Sequence, residues 1–307
     1  MTRQVIRVAN APVSYGVFEL TVGSTGLPGP DELLSAVTEA GYEGIDLGPL
    51  GFLGGTDELP DRLDRHGLDL AGGYVAMRFT DPDGFREDLD HLERTLQVFE
   101  AVAGRQPGRL PKPTLADAGS PERRANPGRG KDLPEIGLDD QGWKRLAAGV
   151  AEAAGRCRGR GFEPTFHHHA CTYVEALHEI ERLLELTDVG LCLDSGHLLL
   201  GGGDPVQAVR DWGARINHYQ IKDARRAVLE QVIVEQAGME AVWARGAFCE
   251  LGAGDLTVDG FLAAIEEIGY SGWLIVEQDR IREPGEPLSV ASEAQRRNRE
   301  FLAARGF

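Results

Sequence analysis

Basic residues are scarce in this 307-residue chain, which has 32 lysines and arginines against 49 aspartates and glutamates and a formal net charge of −17. Such a charge repels polyanions and argues against nucleic acid as a partner. Cysteines are also few: there are four, and none stands in a C-x-x-C pair or a regular framework spacing. This pattern is typical of reduced thiols in the cytoplasm rather than of disulfides or a zinc knuckle.

Long apolar segments are missing as well. No run of eighteen apolar residues occurs, and the first sixteen residues, MTRQVIRVANAPVSYG, carry no signature of membrane insertion or cleavage. Hydrophobic residues still make up 42% of the chain, enough to bury a full core. We therefore expect a soluble cytoplasmic protein with no membrane partner. The composition leaves its oligomeric state open, a homo-oligomer included.

Eight short β-rich runs alternate with longer segments of helical periodicity. The runs are residues 5–10, 44–48, 69–77, 113–119, 163–169, 190–196, 216–223 and 273–279. Eight such units in a chain of 307 residues predict an α/β fold, a (β/α)8 TIM barrel that forms a single domain over residues 1–307. An open, doubly wound sheet is the rival, but no G-x-G-x-x-G turn follows the first run, which excludes its dinucleotide-binding form.

Two segments break the alternation. Residues 120–140 are rich in proline, glycine and charge and are expected to form a long loop, whereas residues 227–255 are expected to form a helix and an ordered loop. Both insertions follow the C-terminal ends of strands, where barrels place their active sites.

Polar residues recur with a period of two along the last four predicted strands, so that they share one face of each strand. If that face points inward, an imidazole, two carboxylates and an amide converge at the mouth of the barrel: His167, Asp194, Gln220 and Glu277. Such ligands suit Mn²⁺, Co²⁺ or Mg²⁺ better than a thiolate site would. Each residue alone could be structural, but their placement on neighbouring strands favours a metal site. His168 and His218 are expected to be structural.

Several motifs resemble a known family: GYEGIDLGPLGFLG, TFHHHACTYVEALHEIERLLE, LCLDSGHLLLGGGDPVQAV, RINHYQIKDAR and LGAGDLTVDGFLAAIEEIGYSGWLIVEQD. They look like the myo-inosose dehydratase branch of the xylose-isomerase-like TIM barrels, and the likeness is weakest over residues 78–140. The resemblance implies one divalent metal ion, Mn²⁺ or Co²⁺ with Mg²⁺ or Zn²⁺ as alternatives, at His167, Asp194, Gln220 and Glu277. Gln220 stands where the family has a histidine, and an amide oxygen is a weaker donor to transition metals. The carboxylates of Asp194 and Glu277 would together neutralise the ion.

The resemblance further implies a lyase that removes a proton α to the carbonyl of a keto-cyclitol or keto-sugar and then eliminates water. Lys222 and His197 are the candidates for proton transfer, because a buried lysine can shift toward its neutral form and histidine titrates near neutral pH. The alternative for Lys222 is an ion pair with Asp223 or with a carboxylate across the barrel. Substrate oxygens would be bound by His169, Arg225 and Asp46.

Two other functions stay open. One is a sugar isomerase, an epimerase or a keto-glycoside lyase of the same fold, and the other is a metal-free sugar-binding homologue. The joint presence of Asp194, His197, Lys222 and Glu277 argues against a loss of catalysis. No P-loop occurs, and the motifs contain no basic cluster beyond Lys222 and the two arginines at 225–226, which favours a neutral polyol or keto-sugar over a sugar phosphate.

Overall fold

Eight parallel strands form the centre of the molecule in the computed structural model, which describes residues 5–307. The barrel strands are β1 (Ile6–Asn10), β2 (Gly44–Asp46), β3 (Asp69–Met77), β4 (Lys112–Asp117), β5 (Thr165–His167), β6 (Gly190–Asp194), β7 (Ile216–Ile221) and β10 (Gly272–Val276). They close in the order β1-β10-β7-β6-β5-β4-β3-β2, so each of the eight predicted runs overlaps one barrel strand. The predicted (β/α)8 barrel is confirmed.

Helices cover the outside of the barrel. They are α1 (Pro30–Glu39), α2 (Leu59–His66), α3 (Pro82–Ala103), α4 (Pro121–Ala125), α5 (Asp140–Gly159), α6 (Leu177–Leu186), α7 (Ser195–Leu200), α8 (Pro205–Trp212), α9 (Arg226–Val234), α10 (Met239–Ala244), α11 (Val258–Glu267) and α12 (Leu288–Ala303). Aspartates begin several of them: the side chains of Asp81, Asp139 and Asp204 each accept a hydrogen bond from a backbone N–H of the first turn. Of the helices in residues 5–307, none combines the length and the apolar character that crossing a bilayer requires.

The alternation of side chains along the strands separates an apolar layer from a polar one. Phe166, Leu193, Tyr219 and Val276 are buried in the hydrophobic core that the helices cover. Their neighbours in sequence point into the barrel instead, where the lower part is filled by a small cluster that includes Trp273 and Ile275. The inward polar positions above this cluster therefore open toward the C-terminal end of the barrel.

The two insertions carry more secondary structure than the sequence indicates. Residues 120–140 are not a loop throughout, because Ser120 caps the short helix α4 by accepting a hydrogen bond from the backbone N–H of Arg123, and a 3-10 turn follows at Pro134–Ile136. Residues 227–255 hold most of α9, all of α10 and the strand β9 (Phe248–Cys249). That strand pairs antiparallel with β8 (Asp223–Ala224), the direct continuation of β7.

Candidate active site

The C-terminal ends of the barrel strands surround a cavity of about 240 Å³. Six of the nine residues predicted for the site line it: Asp46, His167, His169, Gln220, Lys222 and Glu277. The other three, Asp194, His197 and Arg225, do not. The remaining walls are largely apolar and come from the segments that follow β1 and β2.

Lys222 lies at the centre of the polar cluster. Its ammonium nitrogen is 3.1 Å from Asp194 Oδ2, 3.0 Å from Glu277 Oε2 and 2.7 Å from Asp279 Oδ1. Burial alone would lower the pKa of Lys222, but the negative charges of these three carboxylates raise it well above the ordinary lysine value. The predicted shift of Lys222 toward its neutral form is therefore wrong, and the ion pair with carboxylates across the barrel is the arrangement found.

Asp279 belongs to this cluster, although the sequence analysis gives it no role. The signal that could have found it is its spacing, since it lies two residues beyond Glu277 and so falls on the same strand face. Burial and the like charge of Asp279 raise the pKa of Glu277 despite the nearby ammonium. When all three carboxyl groups are ionised, Asp194, Glu277 and Asp279 exceed the single ammonium of Lys222 by two charges, but the pKa of Glu277, raised to about 8, keeps that group largely protonated near pH 7 unless a further cation is bound.

Neighbouring segments fix the position of Lys222. The hydroxyl of Ser195 donates to the Lys222 carbonyl at 2.8 Å and accepts from its backbone N–H at 2.9 Å. At Gly196, a Cβ atom would lie 2.7 Å from Lys222 Cγ, so the lysine side chain needs a glycine there. Asp223 turns the other way and accepts hydrogen bonds from the backbone N–H groups of four residues, Ala224, Gly252, Gly254 and Leu256. Lys222 thus points into the site, and the adjacent Asp223 binds the backbone of residues 252–256 above it.

Three histidines pack beside the ammonium. The ring centroids of His169 and His197 are 3.8 Å apart, and those of His167 and His197 are 5.5 Å apart. His169 Nδ1 lies 2.6 Å from the Ala170 carbonyl, which places the proton on Nδ1 and leaves a lone pair on Nε2. Burial lowers the pKa of His169 to about 4, so the ring is neutral near pH 7.

His197 is buried behind this layer. Its Nδ1 accepts from the Ala170 backbone N–H at 3.4 Å, so in the neutral ring Nε2 carries the proton, 3.4 Å from Asp279 Oδ2 and 3.2 Å from Lys222 Nζ. Burial lowers the pKa of His197 well below its usual value. His197 therefore contacts Lys222 and Asp279 but does not line the cavity.

Gln220 and Glu277 form a hydrogen-bonded pair in which the amide of Gln220 donates to Glu277 Oε1 at 2.9 Å. Within residues 5–307, the buried Gln220 Oε1 has no hydrogen-bond partner, whereas Asp194 Oδ2 is paired with the Lys222 ammonium. His167 Nε2 lies 3.7 Å from Asp194 Oδ2. Two sets of three ligand atoms in the described part of the chain lie within 4.8 Å of one another: His167, Asp194 and His197, and His169, His197 and Asp279.

These donors fit a divalent cation. The unpaired Gln220 oxygen and the carboxylate oxygens beside the imidazoles suit a metal ion, and the two excess negative charges that the cluster carries with Glu277 ionised equal the charge of that ion. The charge balance predicted from Asp194 and Glu277 stays a prediction, and the structure adds two charged groups that enter it, the carboxylate of Asp279 and the ammonium of Lys222.

Of the two residues predicted to bind substrate oxygens at these positions, Asp46 lines the cavity and Arg225 does not. Asp46 is buried on the cavity wall, where Oδ1 accepts the Gly48 backbone N–H at 3.1 Å, and burial raises its pKa to about 6. Arg225 donates instead to the carbonyls of Gly246 and Ala253, and it lies outside the cavity. Its role in binding substrate stays a prediction without a cavity contact to support it.

His168 and His218 also lie outside this cavity, in line with the structural roles predicted for them. His168 Nε2 accepts the backbone N–H of Asp194 at 3.2 Å and so ties β5 to the end of β6. Burial lowers the pKa of His218 to about 3, and this ring is therefore uncharged inside the barrel.

Two sequence relatives extend over nearly all of the chain. An inosose dehydratase of Geobacillus kaustophilus is 31% identical over 294 residues, which cover 92% of this chain and 93% of the relative. A rhizopine catabolism protein, MocC, of Rhizobium meliloti is 30% identical over 321 residues, which cover 98% of this chain and 90% of the relative. The name of the first relative indicates an enzyme.

Solved structures share the fold at lower identity. The probable 3-DHS dehydratase AsbF of Bacillus anthracis matches with a TM-score of 0.69 and 14% identity, over 97% of this chain and 98% of that one. The IOLI protein, solved with a bound zinc atom, matches with a TM-score of 0.69 and 15% identity, over 98% of this chain and 99% of that one. Residues 34–303 match the family described as "Xylose isomerase-like TIM barrel". As the motifs predicted, the chain belongs to the xylose isomerase-like TIM barrel family.

Proposed function

We propose that the protein is a metal-dependent lyase that dehydrates a keto-cyclitol or a related keto-sugar. The observation that carries this proposal is the ammonium of Lys222, held protonated by the carboxyl groups of the cluster at the wall of a cavity, beside the unpaired oxygen of Gln220. An elimination of water needs an acid for the departing hydroxyl, and Lys222 supplies one. The similarity to an inosose dehydratase supports a keto-cyclitol as the substrate.

A metal ion would be held by His167, Asp194, Gln220 and Glu277. When bound, a Mn²⁺ or Co²⁺ ion, or Mg²⁺ or Zn²⁺, would act as a Lewis acid on the substrate carbonyl and so acidify the neighbouring C–H bond.

Two residues of the chain fit the proton transfers. His169 offers the Nε2 lone pair of a neutral ring to the cavity and would take the proton α to the carbonyl. The electron pair of that C–H bond forms the new double bond as the β C–O bond breaks, and Lys222 protonates the departing hydroxyl to give water. His197, behind both residues, would keep the ring of His169 in place by stacking and would hold Asp279 beside Lys222 through its Nε2–H.

The test is an assay of the purified protein with 2-keto-myo-inositol as substrate, following the unsaturated product by its ultraviolet absorbance. Activity should disappear when metal is removed by a chelator and return with Mn²⁺ or Co²⁺. Lys222→Met should lower kcat by about 10²- to 10⁴-fold, the usual contribution of a general acid. Full activity of Lys222→Met, or of the metal-free protein, would contradict the mechanism.

An isomerase or epimerase is the second candidate, since the fold is shared with a D-allulose 3-epimerase of Methylomonas sp. at a TM-score of 0.67 and 14% identity. Both reactions begin with the removal of a proton α to a carbonyl, but only dehydration expels a hydroxyl. Incubation in D₂O separates them: an epimerase would place deuterium in recovered keto-sugar with no unsaturated product. A metal-free sugar-binding homologue would show neither exchange nor product.

A further inference from the structure

One peptide group lies between the proposed base and a buried carboxylate. It joins Ala170 to Cys171, directly after His169. Its carbonyl accepts the Nδ1–H of His169 at 2.6 Å, and its N–H donates to Glu175 Oε1 at 2.8 Å. The carbonyl and the N–H of a trans peptide point in opposite directions, so the group is held from both sides. Its orientation therefore decides which ring nitrogen of His169 carries the proton.

Cys171 has a backbone conformation that is uncommon for a residue with a side chain. Its φ angle is +70°, and within residues 5–307 the only other non-glycine residue with a positive φ is Gln236. A return to the usual negative range would turn the preceding peptide over, as type I and type II turns differ in the orientation of their central peptide. The Ala170 carbonyl would then leave the His169 ring. Such a conformation persists only where its surroundings hold it, and Glu175 is the group bonded to the N–H.

Glu175 is itself fixed on several sides. Its Oε1 also accepts the backbone N–H of Gly128 at 2.9 Å, and its Oε2 accepts that of Gly130 at 3.0 Å. The guanidinium of Arg123 lies 3.5 Å from Oε2. Glu175 is buried and does not line the cavity, so it has no direct contact with a substrate there. Any effect of this carboxylate on the reaction must pass through the peptide to His169.

The backbone on either side of the peptide is anchored as well. The N–H of His169 donates to the Val174 carbonyl at 3.0 Å, and the N–H of Thr172 donates to the His169 carbonyl at 3.2 Å. A Cβ atom at Gly119 would overlap the carbonyl of Cys171, because the two segments pack closely. Rotation of the single peptide is therefore the motion that these contacts leave open.

On the basis of the proposed function, we infer that Glu175 is a positioning residue for the base. It holds the peptide between Ala170 and Cys171 so that Nδ1 of His169 keeps its proton and Nε2 is free to take the proton α to the carbonyl. Without Glu175 the peptide turns, and the ring adopts the other tautomer, in which Nε2 carries a proton and cannot accept one. The same carboxylate binds the 120–140 insertion, so it links that insertion to the base.

Two substitutions of Glu175 separate this role from a purely structural one. Both remove the charge beside Arg123, but Glu175→Gln keeps an acceptor oxygen for the Cys171 N–H, whereas Glu175→Leu does not. NMR spectra of Zn²⁺-loaded protein with ¹⁵N-labelled histidine show which ring nitrogen carries the proton, and His169→Gln identifies the His169 signal. The proton should lie on Nδ1 in wild type and in Glu175→Gln, and it should leave Nδ1 in Glu175→Leu.

Position 171 provides an independent test that leaves every charge in place. Cys171→Gly adopts a positive φ without strain and should keep the proton on Nδ1. Cys171→Val places a β-branched residue where φ is positive and should shift the proton away from Nδ1. This pair decides the matter if Glu175→Leu does not fold. An Nδ1 proton retained in Cys171→Val or in folded Glu175→Leu, or equal shifts in Glu175→Gln and Glu175→Leu, would overturn the inference.

Kinetics connects the tautomer to the reaction. For 2-keto-myo-inositol, Glu175→Leu should lower kcat about tenfold or more and change KM by less than about twofold, because the free lone pair of His169 is needed in the transition state rather than for binding. A kcat equal to that of the wild type would overturn the positioning role. Wild-type protein without activity would contradict the proposed lyase, whereas the NMR spectra would still report the tautomer, so the two failures are distinguishable.

Discussion

Lys222 Nζ and Asp279 Oδ1 are 2.7 Å apart, the shortest of the three ion pairs that this ammonium makes. Both side chains are buried, at 1% and 5% residue exposure, so the pair is shielded from solvent. A desolvated pair of this kind costs much more to break than an exposed one, because the remaining partner keeps an uncompensated charge. Asp279 therefore both orients the lysine and sustains its charge.

Asp279→Asn should reduce kcat for dehydration by about 10²-fold, because the amide keeps the shape of the carboxylate but no longer balances the ammonium. Loss of this carboxylate also removes one of the charges that raise the pKa of Lys222 and Glu277. Steady-state kinetics measures the effect, with Asp57→Asn at an exposed site as the control. Unchanged kcat in Asp279→Asn would show that the third carboxylate has no part in the reaction.

Metal content should depend on Asp194. Protein purified without chelator should contain about one equivalent of a divalent metal by plasma mass spectrometry, and Asp194→Asn should contain little, since this change removes a charged ligand from a site with a weak amide donor.

Gln220→His should instead bind Mn²⁺ or Co²⁺ about tenfold more tightly, because imidazole is a better ligand than an amide oxygen. Equal metal content in wild type and Asp194→Asn would contradict the proposed ligand set.

The sequence predicts the barrel well because strand periodicity is local information. The sequence also identifies His167, Gln220 and Glu277 as inward-facing polar residues, because each alternates with buried apolar neighbours along its strand. The charge state of Lys222 is not local: it depends on carboxylates 28 and 57 positions away in the chain, and those distances exist only after the barrel closes.

The position of the Arg225 side chain also could not be predicted from the sequence. Its place in the KDAR motif suggests a substrate contact, but β8 pairs with β9 and directs the guanidinium to carbonyls of the 246–253 segment. That pairing joins residues about 25 positions apart through a segment with no clear strand pattern.

A buried ion triad should stabilise the insertion at 120–140. Arg123 is fully buried, forms an ion pair with Glu179 and lies 3.5 Å from Glu175 Oε2. Glu175 in turn accepts the backbone N–H groups of Gly128 and Gly130 within the insertion. Arg123→Met would leave two buried carboxylates without their cation, and it should lower the free energy of unfolding by about 3–5 kcal/mol.

Urea denaturation followed by circular dichroism measures this loss. The matched control is Arg124→Met, which removes the next arginine in the chain and its ion pair with Glu240, both partly exposed. Surface pairs of that kind contribute about 0–1 kcal/mol. Equal effects of the two substitutions would show that the triad does not stabilise the insertion more than an ordinary surface pair does.

Asp223 should matter for stability rather than for chemistry. Its carboxylate is completely buried and accepts four backbone hydrogen bonds, three of them from the 252–256 segment that closes over the end of β7. Asp223→Ala would leave these N–H groups without their acceptor, at a cost of about 1–3 kcal/mol for each group that water cannot reach. We expect the free energy of unfolding, measured by urea denaturation, to fall by at least about 3 kcal/mol.

The control is Asp255→Ala, which removes an acceptor for the single N–H of Arg226 and should lower the free energy of unfolding by about 1 kcal/mol. Because Asp223 points away from the cavity, the fraction of Asp223→Ala that remains folded should bind metal like the wild type, and a folded variant that had lost its metal would instead place Asp223 in the site.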